Sequence, residues 1–157
     1  MDVTQLACAH SVRGAPGIRR YQRRSSRLEP ATELTPSELA ILRQDLEVLA
    51  CAHIGYVELR AAIASAERVG RLPGTSFTKA RRLLERVWAA TSPILVDMAV
   101  AKRAGDLAES HGLRGDDAVH LAALQRLGSP RRVDGVACWD GDLRRAASAL
   151  GYALIPA

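Results

Sequence analysis

The sequence predicts an α/β fold, a parallel sheet with helices packed on both faces. Three observations carry that expectation. Short apolar runs at residues 46–51, 94–96, 133–139 and 152–155 have the length and composition of buried strands. The stretches between them show the spacing of helices of about ten to fifteen residues. Glycines stand where those helices should end, at Gly70, Gly112, Gly128 and Gly151. A chain of 157 residues, 48% hydrophobic, has room for one domain with a proper core. With aromatic residues at 4%, Leu, Val, Ile and Ala must fill that core.

Taken in order, residues 1–34 read as an irregular, Arg-rich leader. Residues 11–30 offer Arg, Ser, Gly and Pro without helical or strand periodicity. Residues 35–157 form the predicted domain. Thr35-Pro36-Ser37-Glu38 is a capping box, so a helix should run through about Gln44. A strand at residues 46–51 is followed by a helix over 54–69. A third helix covers 78–90, with Leu83, Leu84, Val87 and Trp88 on one side. After the strand at 94–96, Asp97 is placed to cap a helix reaching Ser110. The helix over 115–127 has Val119, Ala122, Ala123 and Leu127 at core spacing. The strand at 133–139 leads to a helix over 142–150, with Asp142 as its expected cap, and the strand at 152–155 closes the domain.

Charge and cysteine usage narrow the class. The net charge is +5, but residues 1–30 hold six arginines against two acids, whereas residues 31–157 hold sixteen basic against fifteen acidic side chains. The domain is nearly neutral, so net charge alone does not argue for nucleic acid. No apolar run approaches the roughly 18 residues of a membrane span, and the first residues lack the pattern of a secretory signal. Three widely spaced cysteines, Cys8, Cys51 and Cys138, argue for a reducing compartment. The expectation is a soluble, cytoplasmic protein.

Three acidic features stand where a simple core would not place them. Glu58 fills an inward slot of a helix whose apolar stripe is Ile54, Val57, Ala61 and Ala62. A carboxylate there must pair, hydrogen-bond or bind a cation; an ion pair with one of the many arginines is the simpler alternative. Asp116 and Asp117 open a helix, where the partial positive charge of the N-terminus favours them. Helical phase makes Asp117 the inward one and Asp116 the solvent one. Asp140 stands at the carboxyl end of a buried strand, the edge where α/β folds bind ligands. Oxygen-rich groups of this kind suit Mg²⁺ or Mn²⁺, ions that activate water for attack on phosphodiesters.

The same residues carry a family resemblance. Leu113-Arg114-Gly115-Asp116-Asp117-Ala118-Val119-His120-Leu121-Ala122-Ala123 resembles the L-R-G-Y-D-A-x-H-L-A-A segment of PIN-domain ribonucleases of the VapC toxin type. Cys138-Trp139-Asp140-Gly141-Asp142-Leu143, followed by Arg144-Arg145-Ala146-Ala147, resembles their T-[WYF]-D-x-D-L-x-x-A-A segment. Val57-Glu58-Leu59-Arg60-Ala61-Ala62 is similar to their V-E-[LV]-R-A-A helix, and order and spacing agree over about residues 46–157. The resemblance implies a three-layer PIN-like domain and a metal-dependent endoribonuclease, the toxin of a type II toxin–antitoxin system. It implies an antitoxin and RNA as partners, a homodimer, and Mg²⁺ or Mn²⁺ as cofactor. Glu58, Asp117 and Asp140 take three of the four places of the family's acidic quartet, Asp142 assisting. Asp116 replaces the usual Tyr.

The fourth place has no occupant in the text. Family members begin with a strand ending in D-[TS]-[SA], expected here near residues 15–25, where the sequence has neither an acid nor an apolar strand. The first strand is thus expected to be missing or degenerate. Codons for residues 18–24 can be chosen so that another frame spells V-Y-V-D-T-S-A, so a leader read out of frame is one explanation. The alternative function is a PIN-fold protein without catalysis that only binds antitoxin or RNA. Two further signals stand beside these. LACAH occurs twice, at residues 6–10 and 49–53, and suggests a zinc module as a third reading. Arg131, Arg132, Arg144 and Arg145 lie near the carboxylates in sequence and are candidates for contacts with RNA phosphates. His120 reads as a packed, hydrogen-bonded helix residue.

Overall fold

The computed structural model describes residues 9–12 and 49–155. The helix expected after Thr35, residues 15–25 and Cys8 lie outside the described residues. Five strands and five helices follow one another as β1 (Ala9–Val12), β2 (Leu49–Ala52), α1 (Ile54–Arg68), α2 (Thr75–Ala89), β3 (Thr91–Ile94), α3 (Met98–His111), α4 (Gly115–Leu127), β4 (Val133–Ala137), α5 (Gly141–Ala149) and β5 (Leu154–Ile155). The strands form one sheet in the order β3-β2-β1-β4-β5.

The predicted strands do pair in parallel, β2 with β3 and β4 with β5. β1 lies between the two pairs and runs antiparallel to both β2 and β4, with His10 opposite Ala50 and Ala9 opposite Ala137. A short strand from the stretch read as leader thus takes the central slot. Because β1 is reversed, β2, β3, β4 and β5 all point the same way, and their carboxyl ends share one edge. β3 begins and ends earlier than the apolar run predicts, since Leu95 is exposed and the ladder to β2 stops at Ile94. Its Pro93 is tolerable because β3 is an edge strand, where a missing N–H leaves no inner ladder bond unmade.

Helix ends follow local chemistry. The Asp97 side chain accepts from the Val100 amide, capping α3 as expected, and Gly112 ends that helix at φ 64°, a left-handed turn without Cβ strain. α5 is capped differently from the expectation. Asp140, not Asp142, is its N-cap, its Oδ1 accepting from the amides of Asp142 and Leu143 at 2.9 Å. The turn out of β4 is one step tighter than the spacing suggests, so the acid at the strand end and the helix cap are the same residue.

The core lies between α3, α4, α5 and the sheet. Its largest fully buried side chains are Leu107, Leu121, Leu124, Val133, Val136 and Cys138. Leu, Val and Ala do fill it. α4 is the most enclosed helix, with Ala118, Leu121, Ala122, Ala123 and Leu124 buried. On α1 the phase differs from the expected stripe. Gly55, Ala62 and Ala66 are buried, while Val57 and Ala61 are exposed. Small residues rather than large ones face the sheet, which lets α1 approach closely. Glu58 still belongs to that inward face, three residues after Gly55 and four before Ala62. Among the described residues no helix is long and apolar enough to cross a membrane.

Candidate functional site

The carboxyl edge of the sheet collects the acids from three separate elements. β2 ends at Ala52 and leads through His53 into α1, which carries Glu58. His53 ties this corner down: its amide donates to the Ile94 carbonyl at 3.0 Å and its Nδ1 accepts from the Val96 amide at 3.1 Å. β4 ends at Ala137, and Asp140 follows it at the start of α5. Asp117 sits in the first turn of α4.

Asp117 and Asp140 are brought together electrostatically. Asp117 is 8% exposed, while Asp116 faces solvent and lies 4.0 Å from Arg114. Burial pushes the Asp117 carboxyl up, the charges of Asp140 and Asp116 push it further, and its pKa reaches about 6 from an ordinary 3.8. His120 and Arg114 pull weakly the other way. A desolvated acid next to a second acid is short of positive charge.

Glu58 is engaged elsewhere. His120, one turn after Asp117 and buried, donates from Nε2 to the Glu58 Oε2 at 2.8 Å. Its Nδ1 has no hydrogen-bond partner. Burial alone would lower the histidine's pKa; the neighbouring Cys51 and Glu58 outweigh it and raise it above the usual value. The partner of the inward glutamate is therefore a histidine 62 residues away, not an arginine. No signal in the sequence links the two directly, though each was already assigned to the inward side of its helix.

The remaining candidates are placed as follows. Asp142 is exposed and pairs with Arg145 at 2.8 Å. Arg144 Nη1 donates to the Cys138 carbonyl at 2.9 Å, bracing the turn that holds Asp140. Arg131 and Arg132 immediately precede Val133, at the amino end of β4. That corrects their expected closeness to the site: proximity in sequence puts them on the far sheet edge, because a strand separates them from Asp140. β1 supplies no acid, its residues being Ala9, His10, Ser11 and Val12. Its reversal also places Val12 opposite Val133, at the edge away from Asp140.

Among the described residues, no group of three or more His, Cys, Asp or Glu converges to hold a metal ion. The Asp117–Asp140 pair nevertheless fits a hard divalent cation of the Mg²⁺ type, which is bound through one or two carboxylates and keeps several waters. The raised Asp117 shows the same fit from the protein's side, since a cation would relieve the repulsion that Asp140 imposes. The zinc reading gains no such support: Cys51 and Cys138 are buried free thiols, and Cys8 lies outside the described residues.

Comparison with known proteins adds an independent line. The chain is 39% identical over 126 residues to Ribonuclease VapC45 of Mycobacterium tuberculosis strain CDC 1551 / Oshkosh, covering 80% of this chain and 86% of the relative. It matches Ribonuclease VapC49 of strain H37Rv to the same extent. No family model and no solved structure matches the chain.

Proposed function

Since the chain belongs to the VapC family of PIN-domain ribonucleases, we propose that it cuts RNA phosphodiesters with a divalent ion, Mg²⁺ or Mn²⁺, held at the carboxyl edge of its sheet. It is the ribonuclease toxin of a toxin–antitoxin system, with an antitoxin and RNA as partners and a metal requirement shared with its family. The observation that carries the choice of site is the Asp117–Asp140 coupling, which raises Asp117 to about 6.

Asp117 and Asp140 would hold the ion, with Glu58 as third carboxylate and Asp142 at the periphery. The bound ion would supply Lewis acidity and a more acidic water. Asp117 is buried and charge-starved, so its ionised form is most favoured when a cation is present. Asp140 is fixed by the α5 amides, which set its carboxylate before substrate arrives. Arg144 holds the turn beneath it, and Arg145, on the same edge, is the arginine of the four best placed to meet an RNA phosphate. The place of action would be the cytoplasm, and the active form a homodimer.

A second reading is a PIN-fold protein that binds antitoxin without cutting. Its support is the β1 slot, which carries no acid at the site edge. One experiment separates the two. Purified protein is incubated with RNA and Mg²⁺, with and without chelator, beside Asp117→Asn. Cleavage that needs the ion and falls at least about 100-fold in the variant supports the first reading. Antitoxin binding without cleavage at any ion concentration supports the second.

A further inference from the structure

The contact between α4 and α1 has a geometry that the metal reading does not use. Gly55 is the point of closest approach. A Cβ built there would lie 2.8 Å from the Cys51 Sγ and 3.5 Å from the His120 Cε1. Only the missing side chain lets the His120 ring lie against the first turn of α1. From that seat Nε2 reaches the Glu58 Oε2 at 2.8 Å, one turn further along the same helix. The ring is 7% exposed and Glu58 half-buried, so water competes poorly for this bond. A carboxylate on a long side chain has several rotamers; one taken up by a buried donor keeps far fewer.

We infer that His120 is a positioning residue: by donating to one oxygen of Glu58 it fixes that carboxylate for work at the sheet edge with Asp117 and Asp140. The inference rests on the reading of these three acids as the metal-holding set. His120 bridges their elements, lying one turn after Asp117 on α4 while holding Glu58 on α1. Its charge is also felt by Asp117. Hydrogen-bond partners of metal-holding groups typically change affinity about 10- to 100-fold when removed.

The test is Mn²⁺ binding by calorimetry on the full chain, comparing the parent with His120→Leu, His120→Gln and Glu58→Gln. Each variant is first checked for cooperative thermal unfolding. The expected result is a 10- to 100-fold weaker Mn²⁺ affinity for His120→Leu, with His120→Gln restored towards the parent because its amide N–H can donate in place of Nε2. In a Glu58→Gln background, His120→Leu should have no further effect, which a purely packing role would not produce. Should His120→Leu not fold, His120→Met, with its more adaptable side chain, takes its place. An unchanged or tighter Mn²⁺ affinity in the folded apolar variant overturns the inference and leaves the metal site standing. No Mn²⁺ binding by the parent overturns both.

Discussion

Helices α4 and α2 have similar lengths and opposite fates. α4 buries Asp117, Ala118, His120, Leu121, Ala122, Ala123 and Leu124, whereas α2 buries Leu84 alone. α4 lies against the sheet and α3; α2 leans on α1 and shows solvent Lys79, Arg81, Arg82, Glu85 and Arg86. The contacts of α2 are correspondingly peripheral. Arg60 and Tyr56 both bond Glu85, and Tyr56 stacks at a tilt 5.3 Å from Trp88. The difference teaches where this fold places its polar chemistry. Charged groups on α2 are cheap, since water solvates them. The two ionisable residues buried in α4 are costly, and they are the ones next to the candidate site.

That contrast can be tested by substitution. Leu121→Ala in α4 should cost about 2–5 kcal/mol, because the side chain is fully buried and leaves a cavity. Leu83→Ala in α2 should cost clearly less, since Leu83 is only partly buried. Equal losses in urea unfolding would break the comparison. Gly55→Ala should cost about 1–3 kcal/mol by forcing the Cys51 thiol aside. Thermal melting measures it, and a neutral effect would show that α1 and α4 can part without penalty.

Asp140 divides stability from charge. Asp140→Ala should destabilise by about 1 kcal/mol through loss of the α5 cap, and Asp140→Asn by much less, since Asn also caps well. Both should lose cleavage, so the two readouts separate in the Asn variant. The smallest effect is expected at Asp117. Its folded pKa is raised, so the metal-free protein loses stability as pH rises from about 4 to about 6 and stays lower above that. Asp117→Asn should therefore be more stable than the parent by about 1 kcal/mol at pH 7, after discounting for solvent screening. The gain should vanish below about pH 4. Melts across that range check it, and a destabilised Asn variant at pH 7 would contradict the charge-starved description.

Much of this was legible in the residues. α4 matches its expected span of 115–127, because both its start at Gly115-Asp116-Asp117 and its stop at Gly128 are local signals. The inward turn of Asp117 followed from helical phase. Three features were not legible, each for a physical reason. β1 is too short and too polar to show a strand pattern, and its place depends on partners forty and more than a hundred residues away. The α5 cap moved from Asp142 to Asp140 because both acids offer the same chemistry and only the turn decides. Glu58 was expected to meet an arginine or a metal; the close packing at Gly55, invisible in one dimension, gives it His120.

The sheet can also be described as two parallel ladders, β2–β3 and β4–β5, whose only backbone link across the middle is the four-residue β1. Glu58 hangs from the first ladder and Asp140 from the second. Their separation is thus gauged by a strand that contributes no acid to either, as the width of a gate is set by its lintel. Loosening that lintel would widen the site without touching a single carboxylate, and an amide-exchange measurement on Ala9–Val12 would report how firmly the opening is held.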